Sequence, residues 1–161
     1  MNFFTLGVYG SSEAAFFDAL LKSGVDTFCD LRWRRGVRGK EYAFVNSKRL
    51  QQRLTELNIR YLHLRELAPP PALRRRQSEA DKAKRTAKRQ RTALDESFVE
   101  SYRREILAGF DFKTFAEKLG PHARNVALFC VEREPEACHR SILAQRLQQD
   151  SGITVVHMHP G

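Results

Sequence analysis

Asn125 to Arg140 reads NVALFCVEREPEACHR, and its first half decides the fold. From Val126 to Val131 every position is apolar. A strand with one wet face alternates apolar and polar residues, whereas an unbroken apolar run is the mark of a central strand in a parallel sheet, covered on both sides. Pro135 and Glu136 suit the first turn of a helix, and Ile142, Leu143 and Leu147 continue it from about Ala137 to Gln149. Gly152 breaks that helix, and TVVHM predicts a last strand.

Working outward, the same alternation recurs. FFTLGVY predicts a first strand, with Ser11 or Ser12 capping a helix closed by Gly24. VDTFCDL is a second strand ending at Asp30. Asn46 or Ser47 caps a helix with the apolar stripe Leu50, Leu54 and Leu57, and RYLHL is a third strand. Pro69 to Pro71 predict an extended exit from the sheet. The polar stretch after them carries Ser78 and Asp81 at capping-box spacing. Its only periodic apolar residues are Ala80, Ala83 and Ala87, which predicts a solvated helix or a segment ordered by a partner. Helices resume around Phe98 and Tyr102 and after Asp111. The expected architecture is α/β: one domain over residues 1–161, with a mostly parallel five-stranded sheet, helices on both faces, and a basic helical insertion over residues 69–95. In such sheets ligands sit beyond the carboxyl ends of the strands.

Bulk properties fit a globular chain of 161 residues, 42% hydrophobic and 29% charged. Without an apolar run of bilayer length or a basic leader, the expected location is the cytoplasm, with no membrane partner. Three cysteines, Cys29, Cys130 and Cys138, are too few for a disulfide framework. The net charge of +9 favours a polyanionic partner. It is concentrated in two segments, RWRRGVRGK from Arg32 to Lys40 and the stretch from Arg74 to Arg91. Arg34, Arg35, Arg38, Arg85, Lys88 and Arg89 are therefore candidate nucleic-acid contacts, with Trp33, Tyr42 and Phe44 beside the first cluster as stacking surfaces.

The opening stretch holds the candidate chemistry. Cys138 at a helix start meets unpaired N–H groups that favour a thiolate, His139 can carry a proton, and Cys130 lies at the strand end. Glu132 is either a general base or a partner for Arg140, and Arg140 can grip a phosphate. Asp30 and Arg32 at the second strand's end, and Ser11 after the first, complete a ligand-binding set. The cysteines and histidine have no paired C-x-x-C spacing, and neighbours at a helix start rarely face one ion, so no metal is expected. Walker and dinucleotide fingerprints are absent, so no cofactor is implied. Three readings stay open: a nucleotide or nucleic-acid binder, a cysteine-dependent enzyme, and an interaction module whose basic arm docks an acidic protein.

The chain resembles the family named domain of unknown function 488. TLG with Ser11, DLR at Asp30 to Arg32, YLHL at Tyr61 to Leu64 and above all CVEREPEACHR carry the resemblance. It implies a single α/β domain in which Asp30, Arg32, Cys130, Glu132, Cys138, His139 and Arg140 line one site. The chain departs from the commoner pattern at Val8 to Ser11, in the Arg-Trp-Arg-Arg run and at LAPPP, all around that site.

Overall fold

The computed structural model describes residues 1–87 and 90–161. In chain order it contains β1 (Asn2–Leu6), α1 (Glu13–Lys22), β2 (Thr27–Asp30), α2 (Ser47–Glu56), β3 (Arg60–His63), α3 (Pro71–Ala83), α4 (Glu96–Glu105), α5 (Phe112–Leu119), β4 (Asn125–Phe129), α6 (His139–Ser151) and β5 (Val155–Met158). The five strands form one sheet, ordered β3-β2-β4-β1-β5, and every ladder in it is parallel. The strand predicted from NVALF is thus the central one. Among the described residues, no helix is long and apolar enough to cross a membrane.

Successive residues of a strand face opposite sides, and the core divides accordingly. Val126 and Leu128 pack in one cluster with Leu73, Tyr102, Phe115 and Leu143, from α3 to α6. Ala127 and Phe129 pack in another with Phe16 and Leu20 of α1 and Leu50 and Leu54 of α2. Each such fully buried Leu or Phe contributes roughly 1.5–3 kcal/mol relative to exposure.

This division positions the site. Beyond β1 and β2 the chain turns towards α1 and α2 on one face, while beyond β4 it turns towards α6 on the other. The exits diverge around the end of β4, which creates a crevice there. Close approach of the exits is set by Gly7, where a Cβ would lie 2.0 Å from the Glu132 carbonyl oxygen. The Val8 and Tyr9 N–H groups both donate to the Val131 carbonyl, at 3.1 and 3.0 Å.

Local signals hold at several ends. Ser12 caps α1 by accepting from the Ala15 N–H at 3.1 Å, and Asp111 caps α5 by accepting from Thr114 N–H at 2.8 Å. Asn46 precedes α2, but its Oδ1 accepts from the Val37 N–H at 2.7 Å and ties down the basic loop instead.

The inserted segment differs from its expectation. Pro71 starts α3, at the one helical position where a missing N–H costs nothing, so Ser78 lies mid-helix rather than at a cap. The helix buries Leu73, Gln77 and Asp81, while Ala83 and Ala87 are exposed. The inward stripe is therefore mixed, an apolar anchor followed by polar groups that are satisfied. Gln77 donates to Asp81 Oδ1 at 2.8 Å and accepts from the Asp95 N–H at 2.8 Å. An apolar-only periodicity passes over such a face.

Candidate functional site

A cavity of about 590 Å3 opens at the carboxyl ends of β2 and β4. The sheet side contributes Arg32 to Arg34, Cys130 to Glu132, Cys138 and His139, and α3 with the chain returning from it closes the far side through Arg74, Gln77, Arg91 and Leu94. The insertion is thus a roof on the crevice.

Asp30 and Arg32 form a buried fork-to-fork pair at the end of β2. Arg32 Nε donates to Asp30 Oδ1 and Nη2 to Oδ2, both at 2.8 Å, and Nη2 also donates to the Val45 carbonyl at 2.9 Å. Tyr61 O–H donates to Asp30 Oδ2 at 2.7 Å, and burial with the nearby Asp30 charge pushes its phenol well above its ordinary range, so it stays a donor. With the Arg32 backbone N–H donating to Oδ1 at 3.2 Å, each Asp30 oxygen accepts two bonds behind the wall. Arg32 stands in the wall with its guanidinium 4.9 Å over the Phe129 ring. Its Nη1 has no hydrogen-bond partner among the described residues, although the residue is only 4% exposed.

Cys130, Cys138 and His139 meet on the same wall. His139 is held by its Nε2–H, which donates to the Leu31 carbonyl at 2.9 Å, and its ring packs on Tyr102. That fixes the proton on Nε2 and leaves Nδ1 to accept from the Cys138 thiol at 3.6 Å. Contact with Cys138, together with burial, pushes the Cys130 thiol well above its usual range, so Cys130 is a neutral thiol. The expectation that adjacent residues would diverge is corrected. A short 3-10 turn over Pro135–Ala137 precedes α6, which begins only at His139, and Cys138 stays extended before it with φ −138°. Extended and helical backbone aim the two side chains at one point. One donor atom from each of the three residues lies within 4.8 Å of the others.

Glu132 and Arg140 do not pair side chain to side chain. Arg140, fully buried, donates from Nη1 to the Glu132 carbonyl at 2.6 Å and from Nη2 to the Arg133 carbonyl at 3.1 Å. It clamps the loop after β4 from behind and is absent from the cavity wall. The Glu132 carboxylate takes Arg91 Nη2 at 2.8 Å, while Arg91 Nη1 binds Asp81 Oδ2 at 2.7 Å and Nε the Ala137 carbonyl at 3.1 Å. Sequence reasoning missed this role for Arg91 by reading it as one cation in a run; Asp81, one of two acids in that run with Glu79, is its local trace.

Ser11 borders a separate cavity of about 60 Å3 with Gly7, Arg133 and His159. Arg34 and Arg38 line the main cavity, whereas Arg35 donates to the Tyr61 hydroxyl at 3.4 Å and Arg85 stands exposed on the turn after α3. Lys88 and Arg89 lie outside the described residues. Trp33 lines the cavity under Arg65, whose guanidinium is 4.1 Å from its ring. Tyr42 and Phe44 are core residues, buried against Tyr9 and Phe16, so they offer no stacking surface.

The family described as Domain of unknown function DUF488 matches residues 12–147, a span that takes in every residue lining the cavity except Tyr9, and the Cys138-His139-Arg140 helix start. The chain belongs to this family. No curated protein and no solved structure matches it. Within the DUF488 chain the cavity wall therefore has two parts: a cationic one built on Arg32 and a soft-donor one built on Cys130, Cys138 and His139.

Proposed function

We propose that the protein binds a mononucleotide in the cavity at the carboxyl edge of its sheet. The observation that carries this reading is Arg32 Nη1, a nearly buried cationic donor in the wall of a cavity, without a partner among the described residues. A buried donor left unpaired costs about 1–3 kcal/mol, which an anionic ligand recovers. Arg34, Arg38, Arg74 and Arg91 line the same space, and Glu132, the one carboxylate among the described lining residues, is paired with Arg91. Walls of one sign focus the field on an anion, and guanidinium forks match phosphate geometry. Trp33 supplies a ring for a base. The volume is that of a small-molecule site, and the roof formed by α3 suits a single nucleotide better than a duplex.

Calorimetric titration with adenosine 5′-monophosphate, inorganic phosphate and a single-stranded oligonucleotide tests this. Saturable nucleotide binding, weakened by salt and about tenfold weaker in the Arg34→Ala/Arg38→Ala double variant, is expected if those side chains contact phosphate. Absence of nucleotide binding, or equal affinity in the double variant, overturns it.

A further inference from the structure

The soft-donor wall carries a separate inference. Tetrahedral zinc bound by thiolate at about 2.3 Å and imidazole at about 2.0–2.1 Å sets sulfur and nitrogen roughly 3.6 Å apart. Cys138 Sγ and His139 Nδ1 are 3.6 Å apart, and the Cys130 sulfur completes a group of donors within 4.8 Å. We propose that Cys130, Cys138 and His139 form a zinc site whose fourth position opens into the cavity.

Three features support it beyond proximity. The Nε2–H bond from His139 to the Leu31 carbonyl orients the ring so that Nδ1 presents its lone pair, which is how outer contacts position a metal-bound imidazole. All three residues are buried yet line the cavity, so protein encloses three sides of the ion and leaves one. Three protein ligands with one open position is the arrangement of reactive rather than purely structural zinc. The charge also balances: Zn2+ displaces one proton from each of the two thiols, and two thiolates with a neutral imidazole make an uncharged centre. Such a centre sits beside the arginine wall without adding to its positive charge. A water or an anionic ligand group fills the fourth position.

The inference does not depend on nucleotide binding, and the experiment keeps the two apart. The full chain is freed of metal, then titrated with Zn2+ and, separately, with Co2+. One metal per chain is expected, and the cobalt form should show the near-ultraviolet sulfur-to-metal charge-transfer band with the intense visible bands of tetrahedral geometry. Cys138→Ser and His139→Gln should each weaken uptake at least tenfold, while Cys29→Ala leaves it unchanged. Should the ligand variants fail to fold, the cobalt spectrum of the unaltered chain decides. A stoichiometry near zero overturns the site, as does a cobalt spectrum without the thiolate band. Uptake that is undiminished in a folded Cys138→Ser protein, or rapid Cys138 alkylation that added Zn2+ leaves unslowed, also overturns it.

Discussion

Arg91 Nη2 lies 2.8 Å from Glu132 Oε1, joining the inserted segment to the end of the central strand across 41 positions of sequence. Both side chains are more than nine-tenths buried, and Asp81 shares the same guanidinium. Arg91→Ala takes this shared guanidinium away from two largely buried carboxylates, a loss of about 3 kcal/mol or more. Urea unfolding should show it, and amide exchange should accelerate in α3 more than in the sheet. Uniform exchange across both would contradict the roof-fastening role.

Tyr61→Phe removes one donor from a buried carboxylate and, with it, the long 3.4 Å bond that the hydroxyl accepts from Arg35. Bonds to charged groups are worth about 1.5–3 kcal/mol, and the variant should lose stability in that range. A urea midpoint equal to that of the unaltered chain would mean that Asp30 finds another donor.

Gly7→Ala places a methyl group 2.0 Å from a backbone oxygen that is itself clamped by Arg140. The two nearest atoms, the Glu132 carbonyl oxygen and carbon, are both backbone, so the exits of β1 and β4 must separate. Thermal unfolding should fall by several degrees or more, consistent with a cost of about 1–3 kcal/mol for overpacking. Retention of the original midpoint would show that the loop after β4 yields easily.

His157 provides the pH dependence. Its Nδ1 meets the buried Thr5 hydroxyl at 2.5 Å, and partial desolvation, then Arg140, hold its pKa below the ordinary value near 6.5. The folded state favours the neutral ring, so this contribution is complete above about pH 6.5 and is lost as pH falls through the lower folded midpoint. Nuclear magnetic resonance should find the His157 titration displaced to acid. The stability of the unaltered chain should also fall more between pH 6.5 and 5 than that of His157→Gln. A smaller fall than in the variant would reverse the sign and exclude this account.

The centre of the sheet was legible because Val126 to Phe129 are apolar at every position and occupy the middle strand, where both faces are covered. The insertion was not, because Leu73, Gln77 and Asp81 form a stripe whose polar members are satisfied only by chain that returns much later. Proximity in sequence also misled at the basic loop, where Tyr42 and Phe44 turn into the core while Trp33 remains at the cavity. Arg140 shows a third limit. A guanidinium at a helix start looks like an anion grip, yet two nitrogens of this one hold backbone carbonyls, and its Nε, though without a partner among the described residues, belongs to a residue that does not line the cavity. The unpartnered guanidinium nitrogen of Arg32, by contrast, depends on which of its nitrogens Asp30 and Val45 have already taken.

The strand order also governs the timetable of synthesis. β1 pairs with β4 and β5, and β2 pairs with β3 and β4. A nascent chain can therefore zip β2 to β3 early, but β1, made before either, waits for residues 125–129 before it gains its first neighbour. The slot between β1 and β2 is filled by the strand that also delivers Cys130 and Glu132. The two halves of the cavity wall come into being in the same event that closes the sheet.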